Sequence, residues 1–229
     1  MSAKPATVIF DLDGTLTDSR PGILRTTRYA LKQLNAASGR QFPIPDEADL
    51  TYIIGPPLRE TFKDLVGAAY VEQMIGLYRG RYEKIGLLEN SVYDGVPQAL
   101  AELQKLGHRL FVATSKNETH ARRIIDHFGL KKYFAEVYGA RDDGGNAIKS
   151  ELLAFLLGRE RIVAKTSRVV MIGDRKYDAL GARAVGISAL GALWGYGERE
   201  ELIEAGADPL IETPHQIPAA VAWAIGLPQ

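Results

Sequence analysis

Along the chain, short apolar runs break off at polar or glycine residues, and stretches with apolar positions three and four apart lie between them. Four runs read as strands buried on both faces: Thr7–Phe10, Arg109–Ala113 before Thr114, Ala135–Tyr138 before Gly139, and Val169–Ile172 before Gly173 and Asp174. Ile187–Leu190 is a weaker fifth. Helical spacing marks Pro97–Leu106, Thr119–Phe128, Ser150–Leu157 and Asp178–Ala184. Strand and helix in alternation predict an α/β fold, a Rossmann-like parallel sheet with helices on both faces. Right-handed crossovers put every strand's carboxyl end on one edge, where open sheets of this kind bind ligands.

One interval breaks the rhythm. About 100 residues separate the first strand from the second, where a βαβ crossover takes about 30. The stretch from Pro21 to about Asn90 carries apolar residues at helical spacing (Ile23, Thr27, Ala30, Leu31, Leu34, then Thr61, Leu65, Ala69), and Pro43, Pro45, Pro56 and Pro57 cut it into several helices. It contains no convincing strand. The expected organisation is a catalytic core of residues 1–17 and 91–229 with an inserted all-α cap, residues 18–90, acting as a lid.

Bulk properties narrow the function classes. Lys plus Arg equals Asp plus Glu, 28 of each in 229 residues, and the charges are scattered. Neither a nucleic acid polymer nor a membrane surface is an expected partner. Cysteine is absent, which excludes disulfides, thiolate catalysis and Cys-ligated metals. No segment approaches the roughly 20 apolar residues that span a bilayer. The N-terminus meets Asp11 too soon for a secretory signal, so a cytoplasmic location is expected. His108, His120, His127 and His215 show no metal-ligand spacing, and each is expected at the surface or a helix end.

The polar residues that close the strands form a constellation: Asp11 and Asp13 after the first, Thr114 and Ser115 after the second, Asp174 after the fourth. Asp178 follows Asp174 by four, so within one helix both carboxylates would share a face. Lys149 opens the helix before the fourth strand. Carboxylates gathered in a small cleft repel one another unless a hard cation neutralises them, and oxygen-only ligands select Mg²⁺. The arrangement reads as phosphoryl transfer. Asp11 attacks phosphorus to give an aspartyl-phosphate, and Asp13 protonates the leaving oxygen and then activates water. Thr114 and Lys149 stabilise the equatorial oxygens, and Gly14 permits close backbone approach.

These residues resemble the motifs of the haloacid dehalogenase superfamily, in the branch with a helical cap after the first motif. The motifs occur in order: Asp11-Leu12-Asp13-Gly14-Thr15, Thr114-Ser115-Lys116, Lys149, and Gly173-Asp174-Arg175-Lys176-Tyr177-Asp178. Ile54-Gly55-Pro56-Pro57-Leu58-Arg59-Glu60 resembles the cap's specificity loop in phosphoglycolate phosphatase-like members, and Gly191 to Gly197 is similar to that subgroup too. The resemblance implies a Mg²⁺ site of Asp11, the Asp13 backbone carbonyl and Asp174, with Asp178 assisting directly or through water. It implies phosphate and substrate contacts from Gly14, Thr15, Thr114, Ser115, Lys116, Lys149 and Arg59. The expected activity is Mg²⁺-dependent hydrolysis of a small phosphorylated metabolite by a monomer or homodimer.

Each residue type also has an ordinary explanation. Asp174 could be a helix N-cap, and Thr114 or Ser115 a side-chain turn. Lys149 competes with Lys131, Lys132 and Lys165 for its role; Tyr177 and Trp194 read as packing residues, and Asp142 and Asp143 as members of a Gly-rich turn. Asp13 argues against a dehalogenase or phosphonate hydrolase. A 5′-nucleotidase or sugar phosphomutase shares the core and differs in the cap. From other classes, a phospho-signalling receiver module would place its phosphorylated Asp on a later strand and carry no cap, and a non-catalytic binding protein would have no need of every motif residue.

Overall fold

The computed structural model describes residues 5–54, 58–141, 143, 145–164 and 168–226. The chain divides into two compact units, Met1–Asp18 with Val92–Gln229, and Ser19–Ser91. The first unit opens with β1 (Thr7–Phe10), every residue of which is buried, and reaches β2 (Thr17–Asp18) at the point where the chain leaves it. The second unit holds α1 (Arg20–Ser38), α2 (Leu58–Val66) and α3 (Val71–Tyr82), linked by short 3₁₀ turns. β3 (Ser91–Val92) marks the return, followed by α4 (Val96–Lys105), β4 (Arg109–Asn117), α5 (Glu118–His127) and β5 (Glu136–Ala140). α6 (Lys149–Arg159), β6 (Val169–Gly173), α7 (Lys176–Ala184), β7 (Ser188–Ala192), α8 (Arg199–Ala205), β8 (Leu210–Ile211) and α9 (Ile217–Gly226) complete the chain.

Six strands form one sheet in the order β5-β4-β1-β6-β7-β8, every pair parallel. β1 is central: Thr7 to Phe10 sit in register with Arg109 to Val112 on one side and Val169 to Ile172 on the other. The chain proceeds outward from β1 through β4 to β5, then returns to β6 and continues to β8, so the topological switch lies beside β1. Alternation sorts the strand residues between two cores. Ile9, Phe111, Ala113, Val169 and Met171 pack with Leu152, Leu153 and Leu156 of α6, Ala179 and Ala182 of α7, and Leu202 of α8. On the opposite side, α4 and α9 pack together and against β4 and β6.

The observed elements depart from the sequence pattern where the pattern is faint. β4 runs past Thr114 to Asn117, with a register shift against β5 between those residues. β5 and β7 lie one or two residues later than expected. α9 is apolar nearly all round, so it has no amphipathic period to read, and β8 has only two residues. In the helical unit, the described residues 19–54 and 58–90 hold no strand. Its core joins Leu24, Leu50 and Ile53, with Phe62 against Tyr78 and Tyr78 stacked on Tyr82.

His108 lies just past the end of α4, one of its two expected places, where its N–H donates to the Leu103 carbonyl, but it is not at the surface. It is buried, and its Nδ1 accepts the Ala6 N–H at 3.0 Å, which satisfies a backbone donor just before β1. Burial disfavours the charged form and holds its pKa below the usual 6.5. Below 6.5 the unfolded chain takes up a proton that folded His108 refuses. Its stabilising contribution is therefore complete above that value and lost as pH falls through it towards the lower folded pKa. Replacing His108 with Gln is expected to cost about 1 kcal/mol at pH 8 and to make the loss of stability between pH 7 and 5 shallower. Urea midpoints across that range measure both, and an unchanged pH slope would contradict this role.

Candidate active site

Asp11 continues the β1 ladder for one residue, its N–H donating to the Ile172 carbonyl at 2.9 Å. The chain then turns tightly: the N–H groups of Leu16 and Thr17 both donate to the Leu12 carbonyl, and Gly14 N–H donates to Thr17 O at 2.8 Å. Gly14 sits at φ +87°, a left-handed conformation open to glycine, and a Cβ there would lie 2.2 Å from Asp174 Oδ2. Asp174 follows β6 and is fully buried. Thr15 Oγ1 donates to its Oδ1 at 3.0 Å, and the Tyr196 N–H to its Oδ2 at 2.8 Å.

Asp178 reaches the site by a route other than the one its spacing suggests. α7 begins at Lys176, so Asp174 precedes the helix and the two carboxylates share no helical face. Asp178 lies in the helix's first turn and folds back to accept the Arg175 N–H at 3.1 Å, a capping interaction that the helix dipole favours. Lys149, the first residue of α6 and 4 % exposed in its side chain, contacts three acceptors. Its Nζ lies 3.0 Å from Asp11 Oδ1, 2.7 Å from Asp178 Oδ1 and 2.9 Å from the Ala113 carbonyl.

The electrostatics follow from four charges in a small buried volume. Burial pushes Asp174 up to about 8, helped by the neighbouring charges of Asp11 and Asp178 and opposed by the Tyr196 N–H and the Thr15 hydroxyl. Burial also raises Asp178 to about 6 against the pull of Lys149. The Lys149 ammonium is drawn down by burial, but Asp11 and Asp178 outweigh that and hold it above its ordinary value. Lys149 thus pairs with two of the three carboxylates, and Asp174 has no direct contact with it. Asp11, Asp174 and Asp178 can each offer an oxygen such that the three lie within 4.8 Å of one another. An all-oxygen, buried, over-negative set fits a hard divalent cation, because each carboxylate oxygen keeps a second lone pair beyond the bond it already accepts.

Thr114 is 2 % exposed, and its Oγ1 accepts the Lys116 N–H at 3.2 Å, so the ordinary side-chain turn exists, within β4 and not at its end. Lys116 Nζ pairs with Asp13 Oδ2 at 2.7 Å, while Asp13 Oδ1 is buried with no hydrogen-bond partner among the described residues. Ser115 is exposed. Arg59 lies on α2 in the helical unit, exposed and ion-paired with Glu72. Gly55, Pro56 and Pro57 of the expected specificity loop lie outside the described residues, as do Asp142 and Lys165. Asp143 pairs with Arg141 and accepts the Gly145 N–H, and Lys131 pairs with Asp126.

Sequence reasoning underrated two aromatic positions. Tyr177, expected to pack, is 54 % exposed, with the Arg175 and Lys176 cations beside its ring. Trp194, also expected to pack, donates its indole N–H to the Thr15 carbonyl at 3.0 Å. Tyr196 supplies the N–H on Asp174 and was not singled out at all. The available signal was the Trp194-Gly195-Tyr196-Gly197 run of alternating aromatic and glycine residues.

The haloacid dehalogenase-like hydrolase family model matches residues 8–192, and the chain belongs to that family. It is 41 % identical over 197 residues to a 5′-nucleotidase from Pseudomonas aeruginosa, covering 85 % of this chain and 86 % of that protein. A phosphoglycolate phosphatase from Xanthomonas campestris pv. campestris is 32 % identical over 225 residues, covering 96 % of this chain and 97 % of the relative. Tyrosine-protein kinase PtkA of Mycobacterium tuberculosis is 42 % identical over 197 residues, 86 % of this chain, and the match spans 65 % of that protein's length. The solved PtkA structure superposes with a TM-score of 0.79 at 38 % identity, covering 96 % of this chain and 99 % of that one.

Removing the one cation should expose how much the carboxylates depend on it. Lys149→Met, in chelator at neutral pH, is expected to lower the stability of the fold by about 3–5 kcal/mol, the cost of stranding buried charge. Urea unfolding measures this, and a loss below about 1 kcal/mol would mean that solvent already screens the cluster.

Proposed function

We propose that the chain hydrolyses phosphomonoesters through an aspartyl-phosphate on Asp11. The observation that carries this reading is the cluster of Asp11, Asp174 and Asp178, two of which, Asp11 and Asp178, share the Lys149 ammonium, beside the carboxyl ends of β1 and β6. The free oxygen of Asp11 attacks phosphorus, and the ester P–O bond breaks. Its electron pair leaves on the substrate oxygen, which takes a proton from Asp13. Water then gives a proton to Asp13 and attacks phosphorus, releasing inorganic phosphate and restoring the Asp11 carboxylate. Lys116 holds one oxygen of Asp13 and so orients its carboxyl group, whose Oδ1 has no hydrogen-bond partner among the described residues.

Lys149 and Thr114 are assigned to the charge on the transferring group, with Ser115, Gly14 and Thr15 around it. Asp11, the Asp13 backbone carbonyl and Asp174 would hold Mg²⁺, with Asp178 in support. When bound, Mg²⁺ neutralises the repulsion between the anionic nucleophile and the anionic ester. The chemistry is assigned to residues 1–17 and 91–229. Choice of substrate is assigned to residues 18–90, with Arg59 a contact for an anionic substituent.

The substrate class is a small phosphorylated metabolite, phosphoglycolate being the first candidate from the subgroup motifs. A nucleoside 5′-monophosphate is a second reading, supported by the similarity to the Pseudomonas nucleotidase. Phosphate release is measured from phosphoglycolate, nucleoside monophosphates, sugar phosphates and pyrophosphate, with Mg²⁺ and with chelator. The similarity to PtkA adds a tyrosine peptide with ATP, on which no phosphotyrosine is expected. Release from none of the esters would sink the assignment. Asp11→Asn is expected to reduce kcat to below about a thousandth. Asp13→Asn should slow alkyl phosphates about 10²–10⁴-fold but aryl phosphates, whose leaving groups need no proton, much less. Equal losses on both would argue against proton transfer by Asp13.

A further inference from the structure

The loop after β7 makes two contacts with the candidate site, and a third with Asp18 at the end of β2, that the phosphatase reading does not use. Trp194 Nε1 donates to the Thr15 carbonyl at 3.0 Å, the Tyr196 N–H donates to Asp174 Oδ2 at 2.8 Å, and Tyr196 Oη donates to Asp18 Oδ1 at 3.1 Å. The loop lies flat against Asp174: a Cβ on Gly195 would stand 2.2 Å from Asp174 Cβ, and one on Gly197 would stand 2.0 Å from the Asp174 carbonyl oxygen. Thr15 closes the circuit, because its hydroxyl donates to the other oxygen of the same carboxylate.

The geometry points to Trp194 as a positioning residue that fixes the Asp174 carboxylate by holding Thr15. The inference rests on the proposed Mg²⁺-dependent hydrolysis and deepens it. The Thr15 carbonyl is pinned by the indole on one side, so the Thr15 hydroxyl is held where it can donate to Asp174 Oδ1. The Tyr196 N–H holds Oδ2 from the opposite side. A carboxylate that is oriented before a cation arrives loses less rotational freedom on ligation, and outer partners of this type are worth about 10–100-fold in metal affinity.

Trp194→Phe keeps the ring and removes the N–H. Calorimetric titration with Mg²⁺ alone is expected to show the Kd raised about tenfold relative to the native chain, with kcat recovering at saturating Mg²⁺ and KM for the ester little changed. A lower thermal midpoint with an unchanged Mg²⁺ Kd would reduce Trp194 to packing and overturn the inference. Thr15→Val, nearly isosteric, guards against a misfolded Trp variant: it should weaken Mg²⁺ at least as much, and no weakening breaks the proposed route to Asp174. In the double variant the losses should not add, since both act through one hydroxyl; full additivity would also overturn the inference. Native chain that binds and turns over while Trp194→Phe matches it refutes the positioning role alone. Native chain that neither binds Mg²⁺ nor releases phosphate refutes the hydrolase reading as well.

Discussion

A lysine ammonium at the first residue of a helix stands where the helix dipole disfavours positive charge, and burial disfavours it further. Lys149 occupies such a place because Asp11 Oδ1 and Asp178 Oδ1 lie 3.0 and 2.7 Å away and the Ala113 carbonyl accepts a hydrogen bond from it. The dependence is mutual: without that ammonium, Asp11 and Asp178 would lose the cation that both of them pair with. The Lys149 ammonium does not balance three anions, and burial, helped by the charges of Asp11 and Asp178, pushes Asp174 up to about 8. The same imbalance that costs stability in the bare protein makes the cluster receptive to a divalent cation and a reacting anion. The folding cost and the chemical competence are one electrostatic fact.

Much of the sheet can be understood as the means of bringing those groups together. β1, β4 and β6 must be neighbours for Asp11, the Ala113 carbonyl and Asp174 to emerge side by side, and the order β5-β4-β1-β6-β7-β8 makes them so. Parallel pairing keeps all three carboxyl ends on one edge. The apolar alternation that buries Ile9, Phe111 and Met171 against α6 and α7 also fixes the helix starts, so Lys149 and Asp178 arrive from those two helices. Asp178 is favoured by its helix dipole and Lys149 is not. The stable cap and the strained cation are therefore paired across 2.7 Å.

Strong local signals made part of this legible in the sequence. β1 is a four-residue apolar run ending at Asp11, and the structure gives it the expected bounds because a strand buried on both faces leaves a nearly continuous hydrophobic record. The Lys149 position was readable as a helix start, although nothing local said that its ammonium spans 138 residues of chain to reach Asp11. α9 and β8 left little record, one being apolar without a period and the other being too short. The shared face that Asp174 and Asp178 would have within one helix does not arise. Four residues match a helical turn, yet α7 starts only at Lys176, and backbone capping is what turns Asp178 towards the cluster. His108 looked like any surface histidine, since its partner is the backbone N–H of Ala6, which no side-chain pattern reveals.

Glycine illustrates why the remainder of the site was hidden. Three glycines crowd Asp174: Gly14 from the turn after β1, and Gly195 and Gly197 from the loop after β7. Gly14 has φ +87°, so a turn signal in the sequence could have found it. Gly195 and Gly197 have no positive φ, and their requirement is for space alone: a Cβ at either position would fall within 2.2 Å of an Asp174 atom. A steric requirement of that kind comes from a contact across the fold, and local pattern carries no trace of it. It also explains why the aromatic residues alternate with the glycines. Trp194 and Tyr196 can reach Thr15 and Asp174 only if the backbone between and beyond them lies directly on the carboxylate, and only residues without side chains allow that approach.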